Sequence, residues 1–223
     1  VFYPIPLCDE LEITIDYTLS VAYRLQTVEP NITSKDDDNI IIKVLHQLRA
    51  DFPNIPPLDI YLKKRIPMGA GLGGGSSDAA FFMKGVNELL DLGMTPTDME
   101  TRLAKLGADC AFFVQAKPTF AEGIGDLLTP FDVQLKGYYL ALVKPQDFVS
   151  TAQAYARIKP HKPENSLKDL LQQPIKEWRG RVVNDFEESV FYDFPRIEAI
   201  KETLYDMGAL FALMSGSGST VFA

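Results

Sequence analysis

Leu11, Ile13 and Ile15 alternate with Glu12, Thr14 and Asp16, the period of two of a strand with one buried face. The spacing then changes. Ile41, Val44, Leu45 and Leu48 fall three or four apart, which predicts a helix over Ile40–Leu48, and Asp36-Asp37-Asp38-Asn39 ahead of it offers capping side chains. Pro53, Pro56 and Pro57 mark a turn. After it Leu58, Ile60 and Leu62 alternate with Asp59, Tyr61 and Lys63, a second strand that Pro67 stops. A glycine-rich loop from Met68 to Asp78 leads into a helix expected over Ala79–Leu90 and closed near Gly93. Thr95 as N-cap, Pro96 at the first helical position and Asp98 in the first turn announce a further helix that closes at Gly107. Downstream, Tyr138 to Val143 reads as a buried strand and 151–158 and 196–206 as helices. Leu210 to Met214 reads as a strand entering Ser215-Gly216-Ser217-Gly218-Ser219, with a short strand Thr220 to Phe222 after it.

Strands and helices mixed along the whole length give an α+β or mixed α/β class. The best domain boundary lies near 130–137, where Pro130 and Gly137 bracket a polar stretch before a fresh strand. With 223 residues, 46% of them hydrophobic, the chain can bury a core and is not a disordered polymer. The charge is 22 − 30 = −8, which leaves no basic surface for a nucleic acid or an anionic membrane. Cys8 and Cys110 sit in no CxxC pair, so neither a zinc site nor a disulfide framework is indicated, and a reducing cytoplasm fits. No run approaches the roughly 20 apolar residues of a membrane-spanning helix, and Val1 opens no signal segment. Residues 1–6 read like the middle of a strand and turn, so the chain is expected to start inside a longer protein.

Candidate chemistry concentrates in the glycine loop. Gly69, Gly71, Gly73, Gly74 and Gly75 let several N–H groups point at one anion without steric obstruction, and the following helix adds the positive end of its dipole. Ser76 and Ser77 add hydroxyls for a phosphoryl oxygen or a magnesium ion. The plainer alternative is a turn in which Ser76 merely caps the next helix; five glycines followed by two serines favour the phosphate. Gly69 to Gly74 fits GxGxxG by letter, but the acid at the expected distance, Glu88, falls inside a helix rather than at a strand end, which argues against a dinucleotide fold. The P-loop GxxxxGK[ST] needs a lysine where Gly75 stands. On local sequence alone Asp109 reads as the N-cap of a helix starting at Cys110, and Asn39 as a helix cap. Phe81, Phe82, Phe112 and Phe113 read as core, His46 as a helix-surface residue and His161 as a loop residue. No Ser/His/Asp or His/Cys constellation is present.

The stretch Ile66-Pro67-Met68-Gly69-Ala70-Gly71-Leu72-Gly73-Gly74-Gly75-Ser76-Ser77-Asp78-Ala79-Ala80 resembles the phosphate loop of the galactokinase, homoserine kinase, mevalonate kinase and phosphomevalonate kinase (GHMP) superfamily. Three further segments match in order: Leu106 to Phe113 around Gly107-Ala108-Asp109, Ala121-Glu122-Gly123-Ile124-Gly125-Asp126, and Met214 to Ser219. The resemblance covers essentially the whole chain. It implies an α+β, two-domain GHMP kinase fold. Residues 1–134 would form an ATP-binding domain like domain 2 of ribosomal protein S5, and 135–223 a ferredoxin-like C-terminal domain. It also implies ATP and Mg²⁺ as cofactors and a small-molecule acceptor, a cytidine diphosphate-linked methylerythritol phosphorylated on its 2-hydroxyl in non-mevalonate isoprenoid synthesis. No nucleic acid or membrane partner is expected, and no oligomeric state is read from the sequence.

By the same resemblance Asp109 is the catalytic and acceptor-binding carboxylate. Gly69, Gly71, Gly73, Gly74, Gly75, Ser76 and Ser77 hold the phosphates, with Ser77 on the metal, while Asn39, Lys64 and Pro67 lie near the adenine, although Lys64 also reads as a solvated strand residue. Gly216 and Gly218 contribute to acceptor binding in the third motif, or form a plain hairpin turn. The family's catalytic lysine and Asp-Gly-Tyr-His motif would precede Val1, so the 223-residue chain alone is expected to be inactive. Two other readings remain: a related kinase acting on homoserine or mevalonate, and a nucleotide-binding module without catalysis.

Overall fold

A computed structural model describes residues 1–28, 38–123, 125, 127–158 and 165–223. The first alternation becomes strand β1, Glu10–Ile15, followed by β2, Tyr23–Val28. Helix α1, Ile40–Asp51, starts where the spacing places it, and Asn39 is its N-cap, its side chain accepting from the Ile41 N–H at 3.0 Å. Asp36 and Asp37 lie outside the described residues, as do Ile124, Asp126 and His161. Strand β3, Leu58–Lys63, is central to a three-stranded sheet, antiparallel to β1 and parallel to β2. Leu58, Ile60 and Leu62 all point to one buried face.

Helix α2 runs from Gly74 to Leu89, five residues earlier at its start than the sequence suggests. Glycine is a poor helix former, so propensity alone ends the helix at Ala79; packing overrides it. Gly74 lies so close to Ile66 that a Cβ there would sit 2.9 Å from Ile66 Cγ2. Helix α3, Pro96–Leu103, carries the full capping box between Thr95 and Asp98. Helix α4, Ala108–Gln115, follows directly, and the hairpin β4 Thr119–Glu122 with β5 Leu127–Pro130 follows that. One core joins the helices to the three-stranded sheet: Ile41, Leu45 and Leu48 of α1, Leu58 and Ile60 of β3, Phe82 and Met83 of α2, Leu103 of α3 and Val114 of α4. Phe81 departs from expectation, being 46% exposed, because it stands about 100° around α2 from buried Phe82, off the face that enters the core.

The remaining elements are β6 Leu142–Val143, α5 Thr151–Tyr155, α6 Leu167–Leu171, a 3-10 turn Ile175–Glu177, α7 Phe186–Asp193, α8 Pro195–Asp206, β7 Leu213–Met214 and β8 Val221–Phe222. The three short strands form a sheet in the order β6-β8-β7. The expected buried strand from Tyr138 shrinks to two residues. Tyr138, Tyr139 and Leu140 are exposed, and backbone pairing begins only at Ala141, which exchanges hydrogen bonds with Ala223 ahead of Leu142 opposite Phe222. A second core of Val149, Val190, Ile197, Ala212, Met214 and Val221 lies among these elements. The contact pattern divides the chain into two compact units: Val1–Ile66 with Gly73–Asp132, and Pro67–Leu72 with Val133–Ala223. Among the described residues no helix is long and apolar enough to cross a membrane.

Candidate functional site

In the first unit the glycine stretch ends at a helix without a side-chain cap. The N-cap of α2 is Gly73, whose backbone is left-handed at φ +68°, and no side chain accepts from the first turn. The capping role offered for Ser76 is therefore overturned: Ser76 lies inside the helix, and the cap position went to the residue that enters φ > 0 without cost. Ser77 N–H donates to Gly73 O at 2.8 Å, the first bond of the helical ladder. The N–H groups of Gly74, Gly75 and Ser76 precede it and have no carbonyl one turn earlier.

Two other helices begin beside this one. Ile40, the first residue of α1, has its Cγ2 4.0 Å from where a Gly75 Cβ would lie. At the start of α4, Cys110 lies beside Ser76; burial pushes the thiol pKa up, the Ser76 side chain tempers the rise, and the Asp109 charge adds to it. Three helix N-termini thus meet around Gly75 and Ser76. Open N–H groups at the positive ends of helices are the kind of arrangement that attracts an anion. Beneath it, a Cβ at Gly73 would lie 2.9 Å from the Phe113 ring, so the loop is seated on α4.

Asp109 stands in the first turn of α4, whose N-cap is Gly107; the expectation that Asp109 itself caps a helix from Cys110 fails by two residues. Its side chain reaches solvent, yet the protein around it is dense enough that desolvation raises its pKa above the ordinary carboxylate value. Among the described residues its carboxylate makes no hydrogen bond or ion pair. A partly desolvated acid without such a partner, next to positive helix ends, is the kind of group found at functional sites.

The other expected residues are placed as follows. Lys64, half of whose reading was a solvated strand residue, is the opposite: its side chain is 6% exposed and its ammonium bridges Asp9 and Asp78. Burial pushes the Asp78 pKa up to about 7 against the opposing pull of Lys64, with the Asp9 charge adding to the rise. Burial would raise Asp9 as well, but Lys64 and the amides of Ile66 and Arg65 outweigh it and hold it low. Burial would lower the Lys64 pKa, but its two carboxylates carry it up. Ser76 and Ser77 face different ways, Ser76 toward Cys110 and Ser77 onto a hollow of about 600 Å³ that Asp9, Asp78 and Phe81 also line. Asn39 is spent on one bond to α1 through its carbonyl oxygen. Among the described residues no group of three His, Cys, Asp or Glu side chains could hold a metal by itself.

Pro67, Gly69 and Gly71 belong to the second unit. There Gly69 lies against the Phe148 ring, and Gly71 against the β7–β8 turn. Ser215 Oγ donates to Gly71 O at 2.7 Å and Thr220 N–H to Ala70 O at 3.2 Å. Gly216 and Gly218 do sit in a hairpin turn, but one tied to the glycine stretch. Asn184, which the sequence did not single out, holds that turn: its Nδ2 donates to Met214 O and Gly216 O, both at 2.8 Å.

The chain matches the GHMP kinase N-terminal domain model over residues 39–117 and the GHMP kinase C-terminal model over 166–223. It is 52% identical over 222 residues to a 4-diphosphocytidyl-2-C-methyl-D-erythritol kinase of Bacteroides fragilis, covering 100% of this chain and 81% of the relative. It is 49% identical over 222 residues to the enzyme so named from Parabacteroides distasonis, covering 100% of this chain and 80% of that relative. A crystal structure of a 4-(cytidine 5'-diphospho)-2C-methyl-D-erythritol kinase superposes with a TM-score of 0.75 at 26% identity, covering 96% of this chain and 75% of that one. A homoserine kinase from Cytophaga hutchinsonii superposes at 0.64 with 19% identity, covering 96% and 75%, and shares the fold.

Proposed function

Because the chain belongs to the GHMP kinases, and within them to the 4-diphosphocytidyl-2-C-methyl-D-erythritol kinases, we propose that the meeting point of α1, α2 and α4 is where its ATP phosphates are held. The reaction is ATP-dependent phosphorylation of the 2-hydroxyl of 4-diphosphocytidyl-2-C-methyl-D-erythritol, a step of non-mevalonate isoprenoid precursor synthesis. The observation that carries the assignment is the meeting of the α1, α2 and α4 starts around Gly75 and Ser76, those of α2 and α4 without side-chain caps, with the Asp109 carboxylate, which has no hydrogen-bond partner among the described residues, on the adjoining helix.

Phosphoryl transfer to an alcohol needs neutralised phosphates, an aligned acceptor oxygen and a group for its proton. The amides of Gly74, Gly75 and Ser76 supply the first, with the Ser76 hydroxyl beside them. Asp109 accepts or orients the proton of the acceptor hydroxyl. Mg²⁺ usually keeps several waters and takes one or two protein oxygens plus phosphate oxygens; Ser77, which lines the hollow beside Asp78, would be its protein ligand through its hydroxyl, and the ion would neutralise charge on the phosphates. Asn39, Lys64 and Pro67 are assigned to the adenosine side, Gly69, Gly71 and Gly73 to the phosphate loop, and Gly216 and Gly218 to the acceptor side. The cytoplasm is the assigned location.

Asp109 works as the carboxylate, and its pKa is raised by desolvation. Activity is therefore expected to fall as pH drops through a value above the ordinary carboxylate range near 4. A kcat profile flat down to pH ~4 would contradict the role. For the acceptor, the complete protein with ATP is expected to prefer the cytidine diphosphate-linked methylerythritol over homoserine and mevalonate by at least ~10³-fold in kcat/KM. Equal turnover of either competitor, or ATP binding with no turnover of any acceptor, would overturn the assignment.

A further inference from the structure

The glycine stretch leaves the first unit after Ile66 and returns to it at Gly73, and one buried ion cluster fastens both points. Lys64, one residue beyond β3, donates to Asp9 and, at 2.5 Å, to Asp78; the three side chains are 6%, 4% and 8% exposed. The second oxygen of Asp9 accepts the backbone N–H of Arg65 and, at 2.8 Å, that of Ile66. The residues before the stretch are thereby held by Asp9, and Asp78, directly after Ser77, is joined to them through a single ammonium.

We propose that Asp78 is a positioning residue for nucleotide binding: through Lys64 and Asp9 it fixes the start of α2 relative to the chain leaving β3. This rests on the reading that the stretch between them takes the ATP phosphates. The physical case is economy of order. Buried ion clusters recover little net stability, and apolar side chains of the same volume often do better, so the cluster's value lies in a defined geometry. Pro67–Leu72 is a short segment, and with both ends fixed less of its freedom remains to be lost when an anion binds. The Asp78 carboxylate is spent on Lys64, and it acts through the backbone of Gly74–Ser77.

Asp78→Ala and Asp78→Asn are compared in the complete protein by titration with a non-hydrolysable ATP analogue, steady-state kinetics and amide hydrogen exchange. Asp78→Ala is expected to weaken the analogue by ~10-fold and raise the KM for ATP alike, with kcat within ~3-fold, since Asp78 touches no reacting atom. Exchange is expected to quicken at Arg65, Ile66 and Gly74–Ser77 and to stay unchanged at Ile41–Leu48. Asp78→Asn, which keeps an acceptor for Lys64, is expected to recover affinity to within ~3-fold of the parent. Unchanged affinity with unchanged exchange at those amides overturns the proposal. So does a uniform acceleration of exchange with no recovery in Asp78→Asn, the mark of a residue that only stabilises the fold. Faster exchange confined to the two ends with unchanged affinity keeps the tie but overturns its role in nucleotide binding, while phosphates found away from Gly74–Ser76 in a structure with the analogue overturn the placing on which the proposal rests.

Discussion

Asp109→Asn is expected to lower kcat by ~10²–10⁴-fold, the range lost when a positioned proton acceptor is removed, with the KM for ATP within a few-fold of the parent. The side chain reaches solvent and has no hydrogen-bond partner among the described residues, so its charge contributes only a small helix-end interaction to the fold. Stability is expected to stay within ~0.5 kcal/mol, as for an exposed substitution. Loss of turnover with an unchanged melting temperature separates a chemical role from a structural one. A kcat within ~10-fold of the parent in Asp109→Asn would remove Asp109 from the reaction.

Gly71→Ala is expected to be severe for a different reason. The residue sits at φ +70°, and an added Cβ would lie 2.1 Å from Ser215 O and 3.0 Å from Gly218 O, both backbone atoms that no rotamer change can move aside. The two loops must part, which breaks the Ser215 Oγ bond to Gly71 O as well. Together, strain and displacement cost ~2–4 kcal/mol, a fall in melting temperature of roughly 5–15 °C for a chain of this size, and nucleotide affinity falls with it. Gly93→Ala is the control: φ is also +70° there, but nothing lies within 4 Å of the added carbon, so only the ~1 kcal/mol of left-handed strain is expected. Equal melting temperatures for the two variants would show that the loop contact is unimportant.

These two residues also show what the sequence makes legible. The start of helix α3 is legible to the residue because its signal is local: Thr95, Pro96 and Asp98 are a cap and a first turn by themselves, whereas its end falls at Leu103, four residues before the Gly107 that the sequence offers as its close. Strands β1 and β3 were legible because one buried face imposes a period of two. Strand β2 was missed, since its burial alternates only at its first residues and its partner β3 lies 35 residues on. The start of α2 was misjudged because glycine's poor helix propensity speaks against a helix, whereas the deciding contacts, Gly74 with Ile66 and Gly73 with Phe113, come from elsewhere in the chain. The same holds for the site. The phosphate loop announces itself in five glycines and two serines, but Asp109 took its meaning from family resemblance alone, local signals having made it a cap. The Lys64 cluster could not be seen at all: Asp9 lies 55 residues from Lys64 and Asp78 lies 14 away, and no periodicity links them.

The most direct measurement is a crystal structure of the protein with a non-hydrolysable ATP analogue. Phosphate oxygens within ~3 Å of the Gly74, Gly75 and Ser76 nitrogens, a normal hydrogen-bond length, are the expected result. Phosphates bound elsewhere, with those three nitrogens covered by side chains, would contradict the assignment.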